Sequence, residues 1–124
     1  MNLNESLRIH LASLAAGHSD FEDTLALIER HFVYQPVGFH NGPHFNAAGV
    51  NEGSCKVFAL AQTGNLNESD TLNLFGRHYR DVLADPGGDS HSNIRQFIGT
   101  GWSGIRFEGS PLRPVSASGE GAIG

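Results

Sequence analysis

The spacing of apolar side chains constrains the fold of this chain more than any other feature of its sequence. Such side chains recur every three or four positions in short segments, which contain Leu3, Leu7, Leu11 and Leu14, then Phe21, Leu25, Ile28 and Phe32, and later Leu72, Phe75, Tyr79 and Val82. This spacing predicts helices that bury one face. Gly17 and the run Asp85-Pro86-Gly87-Gly88 end the first and last of them. The chain is therefore predicted to be mostly helical.

Capping residues indicate where several of these helices begin. Asp, Ser and Asn side chains accept hydrogen bonds from the free amides of a first helical turn. The predicted caps are Asp20, Ser54, and either Asn67 or Ser69. The helix after Asn67 is predicted to continue to residue 84, and Gly76 within it indicates close approach by another part of the backbone. A further short helix is predicted over residues 92–98.

Two segments have the composition of strands. Residues 32–39 are β-branched and aromatic, but Pro36 lacks an amide donor and favours an edge strand. Residues 105–108 alternate between apolar and charged side chains, and we expect them to pair with residues 33–39. Asn41-Gly42 is predicted to form a tight turn, and residues 43–54 an ordered loop. The predicted fold is α+β: a mostly helical single domain with a small antiparallel sheet.

Length and composition bound the organisation of the chain and its partners. The 124 residues suit one domain, predicted over residues 1–112, and residues 113–124 are expected to be a flexible tail. The net charge of −5 disfavours nucleic acid and anionic membranes as partners. A single cysteine excludes an intrachain disulfide, and no apolar run has transmembrane length. These features predict a cytoplasmic protein.

The segment Asn51-Glu52-Gly53-Ser54-Cys55-Lys56 carries the most suggestive chemistry. A thiol in the first turn of a helix can have a lowered pKa and act as a nucleophile. Cys55 would then need His78 or His91 as base, with Asn93 or Asp89 to orient it. The alternative is that Cys55 is a small buried apolar residue.

The charged residues near this segment also have two interpretations each. Lys56 in a first helical turn needs an opposite charge, which either Glu52 or a bound anion could supply. Arg77, Arg80 and Arg95 could clamp an anion, or they could pair with Asp81, Asp85 and Asp89 on the surface.

Seven histidines are many for this length. His40 and His44, with His78 or His91, could supply three imidazoles to a metal ion. The spacing of His40 and His44 around Asn41-Gly42-Pro43 does not match a helical metal motif, so the sequence predicts no metal site and no cofactor.

Several phrases together resemble the HopJ family of type III secretion effectors. These are Phe39-His40-Asn41-Gly42, Asn46-Ala47-Ala48-Gly49, Asn51-Glu52-Gly53-Ser54-Cys55-Lys56, Phe75-Gly76-Arg77-His78-Tyr79-Arg80-Asp81-Val82-Leu83, and His91 with Asn93-Ile94-Arg95-Gln96-Phe97. The resemblance extends to about Leu112. It implies a bacterial protein exported through a type III secretion system into a host cell. A cytosolic role in bacteria is the alternative, and the resemblance supplies no catalytic residues.

Three functional hypotheses follow from the sequence. The first is a protein that binds its partner through the polar, glycine- and asparagine-rich segment from His40 to Cys55, with the arginines beside it. The partner would be a host or cytosolic protein or a small anionic ligand, and the residues expected to recognise it are His40, Asn41, Asn46, Asn51, Glu52, Ser54, Lys56, Arg77, Arg80 and Arg95. The second is a small hydrolase or transferase with Cys55 as nucleophile and His78 or His91 as base. The third is a metal protein with His40, His44 and His91 as ligands.

Overall fold

The structure is a computed structural model, and it describes residues 2–115. This part of the chain contains six helices and five short strands. The helices are α1 (Leu3–Ala15), α2 (Phe21–His31), α3 (Glu52–Thr63), α4 (Glu68–Asn73), α5 (Arg77–Ala84) and α6 (Ser92–Thr100), and a 3-10 turn (Gly101–Gly104) follows α6. The strands are β1 (Phe32–Tyr34), β2 (Phe39–Asn41), β3 (His44–Asn46), β4 (Ile105–Phe107) and β5 (Leu112–Pro114). The predicted α+β class, with helices dominant, is confirmed.

The strands form two small antiparallel sheets, and their pairing differs from the prediction. One sheet has the order β3-β2-β4, and the other pairs β1 with β5. Residues 105–107 therefore pair with residues 39–41, with Phe39 opposite Phe107, and only Phe39 lies in the predicted partner segment. Val33 lies opposite Arg113 instead. Pro36 explains the split, because it cannot donate to a ladder and it separates β1 from β2.

Two further predictions about the strands are corrected. Residues 44–46 were expected in a loop but form β3, which pairs with β2 across a turn at Gly42-Pro43, where Gly42 has a φ of 58°. The predicted turn is thus shifted by one residue, because Asn41 lies in β2 opposite His44. Residues 113–114 were expected to begin a flexible tail but belong to β5. Pairing with β1 satisfies the backbone hydrogen bonds of these residues, although their own sequence does not indicate a strand. The rest of the predicted tail, residues 116–124, lies outside the described residues.

The predicted helix from residue 67 to residue 84 is two helices, α4 and α5. Asn67 caps α4, and the chain turns through Leu74 to Gly76, whose φ is 58°. The predicted close approach at Gly76 is confirmed, since a Cβ there would lie 2.7 Å from the backbone nitrogen of Phe21. The side chain of Asp20 also reaches this turn and accepts a hydrogen bond from the Arg77 amide. Contacts from α2 therefore stabilise the break between the two helices.

Helix α3 lies at the centre of the hydrophobic core. Its side chains from Cys55 to Ala61 are almost all buried, and Phe58 packs against Phe39, Phe75 and Phe97 with ring centroids 4.9 to 6.1 Å apart. Burial of one such side chain contributes about 2 to 3 kcal/mol. The core therefore fixes the direction of α3 and the position of its first turn. No helix within residues 2–115 is long and apolar enough to cross a membrane.

Candidate functional site

The first turns of α3 and α6 border the same cavity, which has a volume of about 220 Å³. Phe21 and Phe75 provide aromatic walls, and His78 comes from the first turn of α5. The full lining is Phe21, Asn51, Gly53, Ser54, Phe75, His78, His91, Ser92, Asn93 and Ile94. Backbone amides, hydroxyls, imidazoles and aromatic rings therefore meet at one place. We call this space the α3/α6 cavity.

Both helix ends at the α3/α6 cavity share an unusual geometry. Asn51 precedes α3 with a φ of 54°, and His91 precedes α6 with a φ of 53°. Such left-handed conformations are uncommon for residues other than glycine. Within residues 2–115, no side chain caps the first turn of either helix. Unpaired amides and the positive end of the helix dipole make such a turn attractive to anions.

In the first turn of α5, by contrast, a carboxylate accepts a hydrogen bond from a backbone amide. The Arg77 amide donates to Asp20 Oδ1 at 2.8 Å, and the Phe21 amide donates to the same oxygen at 2.8 Å. These backbone amides lower the pKa of Asp20 to about 2, with help from Arg80. The ends of α3 and α6 have no such carboxylate among the described side chains.

A buried asparagine network holds the two helix ends against the β2–β3 hairpin. Asn93 in α6 accepts from Asn41 Nδ2 at 2.9 Å and donates to Asn46 Oδ1 at 3.0 Å. Asn51 Nδ2 also donates to Asn46 Oδ1, at 2.7 Å. Because these bonds join β2, β3, α6 and the residue before α3, they fix the shape of the α3/α6 cavity. The sequence prediction placed Asn41 and Asn46 in the binding surface, and the structure buries both.

Three side chains of the types that bind metal ions meet at the rim of the α3/α6 cavity. They are His78, Asp81 and His91, whose candidate ligand atoms all lie within 4.8 Å of one another. His91 Nε2 is 3.6 Å from an oxygen of Asp81, and the two imidazole rings are 5.0 Å apart. Burial, with the charge of Arg77, lowers the pKa of His78 below its ordinary value. Neutral imidazole is the form that can coordinate a metal.

Cys55 does not line this cavity, although its neighbour Ser54 does. Its side chain is 1% exposed, and Sγ lies 4.0 Å from the carbonyl oxygen of Val37. Burial raises the pKa of the Cys55 thiol, so the expectation of a lowered pKa is wrong. No histidine is a hydrogen-bond partner of Cys55 in the described part of the chain. The thiol lies in the core, where burial disfavours its charged form.

The other charged residues of the predicted binding surface have partners within the protein. Arg77 binds Glu22 through two hydrogen bonds, and Arg80 lies 3.1 Å from Asp20. The guanidinium of Arg95 donates to the carbonyl oxygens of Ser90, Asp85 and Pro86. These arginines therefore join α5 to α2 and brace the loop before α6, and none of them lines the α3/α6 cavity.

The remaining predicted residues lie on other surfaces. His40 is 3.4 Å from Glu108, and the Lys56 ammonium is 4.6 Å from the centre of the Tyr34 ring, a cation–π contact. Glu52 is exposed. His40 and His44 lie in the β2–β3 hairpin and do not belong to the cluster of His78, Asp81 and His91.

Some residues of the site were absent from the sequence prediction. Phe21, Phe75 and Ser92 line the cavity, and Asp81 completes the rim cluster. No local pattern indicates that Phe21 and Asn93 line the same cavity.

Comparisons with known proteins agree with the resemblance in the sequence. The family model described as HopJ type III effector protein matches residues 7–112. A solved structure described as "Crystal structure of unknown function protein VPA0580" is similar, with a TM-score of 0.80 and 44% sequence identity, over 86% of this chain and 92% of that chain. No curated protein matches the chain. The family match covers most of the chain, and the chain belongs to the HopJ type III effector protein family.

Proposed function

We propose that this HopJ-family protein acts by binding a small anionic ligand in the α3/α6 cavity. The observation that supports the proposal is that the first turns of α3 and α6, both without a side-chain cap among residues 2–115, border the same space. Each turn offers backbone amides and a positive dipole end, and two such turns can hold one carboxylate or phosphate. The C-terminal part of the predicted 40–55 segment therefore supplies half of the site.

The side chains of the cavity suit a ligand with one charged end and a small apolar part. Ser54 and Ser92 carry hydroxyls at the two helix ends, and Phe21 and Phe75 offer aromatic faces. The volume of about 220 Å³ lies below the range of about 300 to 1,000 Å³ that is typical of sites for drug-sized ligands. We therefore expect a small metabolite with a carboxylate or phosphate group.

Calorimetric titration with two simple anions tests this proposal. Sodium phosphate and sodium acetate are titrated separately into the full chain at low ionic strength, after treatment with EDTA. We expect saturable binding that weakens with added salt, because the contacts are electrostatic. The absence of saturable binding for both anions would contradict the proposal.

A pair of matched variants locates the binding. Ser54→Asp places a carboxylate in the first turn of α3 at the cavity, where we expect it to compete with the ligand and weaken binding at least about tenfold. Ser69→Asp adds the same charge to the first turn of α4, which does not border the cavity, and should leave binding unchanged. Circular dichroism checks that both variants fold. Equal binding by Ser54→Asp and Ser69→Asp would show that the anion binds elsewhere.

Membership of the HopJ type III effector family supports a second proposal, that this protein is exported through a type III secretion system into a host cell. A fusion of the full chain to a calmodulin-dependent adenylate cyclase reports entry into host cytosol. We expect a rise in host cyclic AMP with a secretion-competent strain and none with a strain that lacks the secretion needle. Equal signals from the two strains would contradict export by this route.

A further inference from the structure

We propose that His78, Asp81 and His91 bind one divalent transition-metal ion, such as Zn²⁺, at the rim of the α3/α6 cavity. This site differs from the ligand set that the sequence indicated, since it contains neither His40 nor His44. The inference goes beyond the anion-binding function proposed above and does not depend on it.

The three side chains come from two adjacent parts of the fold. His78 and Asp81 are three residues apart on α5, so they project from the same face of that helix. His91 is the residue before α6, and its left-handed backbone conformation turns it toward α5. The packing of α6 and the asparagine network hold this backbone in place. The metal ligands are therefore on ordered elements of the fold.

The distances are close to those of a metal site. Two ligand atoms that are each about 2.1 Å from a zinc ion can be at most about 4.2 Å apart. His91 Nε2 and Asp81 Oδ2, at 3.6 Å, already satisfy this limit, and the whole set spans at most 4.8 Å. A side-chain shift of less than about 1 Å brings a separation of 4.8 Å within the limit of about 4.2 Å. Room for such a shift exists at the cluster, because the side chains of His91 and Asp81 are 29% and 64% exposed.

The carboxylate of Asp81 is available to a cation at this position. Within residues 2–115, the only ion-pair partner of Asp81 is His91, so its carboxylate is not held by an arginine. The buried Nδ1 atom of His78 has no hydrogen-bond partner among the same residues. A buried polar atom without a partner carries a cost in free energy, so His78 has a ring nitrogen whose bonding capacity is unused within the protein.

Two imidazoles and one carboxylate are a ligand set that suits zinc and other divalent first-row metals. Three protein ligands leave at least one coordination position for water or another molecule. Because His78 and His91 also line the α3/α6 cavity, this open position can face the space in which the anion is proposed to bind. The metal and the anion would then occupy neighbouring positions.

Calorimetric titration of the untagged full chain with zinc chloride at pH 7 tests the metal site. We expect one equivalent to bind, and we expect Asp81→Asn and His91→Gln to weaken binding at least about tenfold. Asp89→Asn and His44→Gln are the matched controls, because both residues are exposed and lie outside the cluster. They should bind zinc as the unaltered chain does. Absence of stoichiometric binding, or equal affinity in all four variants, would overturn the proposal.

Nuclear magnetic resonance of the histidine rings identifies the ligands independently of the variants. One equivalent of zinc is expected to shift the ring nitrogen signals of His78 and His91 and to leave those of His40 and His44 in place. Shifts confined to other histidines would overturn the assignment. Because the anion titrations use EDTA-treated protein, failure of the metal site leaves the test of anion binding intact.

Discussion

Replacement of Asn93 by alanine tests whether the asparagine network holds the cavity together. The Asn93 side chain accepts from Asn41 Nδ2 at 2.9 Å and from Asn46 Nδ2 at 3.3 Å, and it donates to Asn46 Oδ1 at 3.0 Å. All three bonds are buried and are lost in Asn93→Ala. The backbone carbonyl of residue 93 still accepts from Asn41 Nδ2, so that amide retains one partner.

The expected loss of stability follows from these contacts. A buried hydrogen bond contributes about 1 kcal/mol net, so removal of three, with one partner retained by Asn41, should lower the free energy of unfolding by about 2 to 3 kcal/mol. With a urea m value of about 1.5 kcal/mol per M, the unfolding midpoint should fall by about 1.3 to 2 M. The matched control is Asn73→Ala, an exposed residue at the end of α4, which should change the midpoint little.

Urea unfolding followed by circular dichroism gives the midpoint and the m value together. Anion binding by Asn93→Ala should also weaken, because the first turn of α6 loses its attachment to the β2–β3 hairpin. If the free energy of unfolding falls by less than about 0.5 kcal/mol and anion binding is unchanged, the network does not fix the cavity.

Three other predictions test the rest of the structure. Cys55 should react with iodoacetamide at least about 100-fold more slowly in the folded protein than in urea, since its thiol is buried and its pKa is raised; equal rates would contradict its burial. Burial lowers the pKa of His10 from 6.5, so the folded state binds fewer protons than the unfolded state, and stability should fall as the pH drops below about 6.5. Between pH 7.5 and pH 5, the urea unfolding midpoint should fall less steeply in His10→Gln than in the unaltered protein. An equally steep fall in both proteins would show that His10 is not the cause. Gly76→Ala should lower the free energy of unfolding by about 2 to 4 kcal/mol, because its Cβ would collide with Asp20. Gly17→Ala is the control, because its new Cβ would meet open space. Only the strain of a left-handed backbone, about 1 kcal/mol, is expected there. An equal loss of stability in both variants would show that the contact with Asp20 does not matter.

Most helices of this fold could be predicted from the sequence, because the periodicity of apolar residues and the capping residues are local signals. The N-caps Asp20 and Asn67 were predicted correctly, but Ser54 lies inside α3, which begins at Glu52 after Asn51. The break between α4 and α5 was missed, since Leu72, Phe75, Tyr79 and Val82 keep their helical spacing across it. The contact that stabilises the break comes from Asp20, which is 57 residues away from Arg77. A local pattern contains no such information.

The candidate site was only partly predictable for the same reason. The 40–55 segment was singled out for its polar composition, and it does supply Asn51, Gly53 and Ser54 to the cavity. The second half of the site comes from α6, and the connection between the halves is a hydrogen bond from Asn41 to Asn93, 52 residues apart. The orientation of Cys55 toward the core depends on how α3 packs, which the motif around it does not reveal.

Mapping of anion binding onto backbone amides tests the central claim most directly. Proton–nitrogen correlation spectra are recorded as sodium phosphate is added to the EDTA-treated full chain. The α3/α6 cavity account predicts that the largest, saturable shifts occur at the amides of Gly53, Ser54, Ser92 and Asn93, in the first turns of the two helices. The Arg77 amide in the first turn of α5, which already donates to Asp20, should move little. Shifts that are absent, or that centre on other parts of the chain, would contradict it.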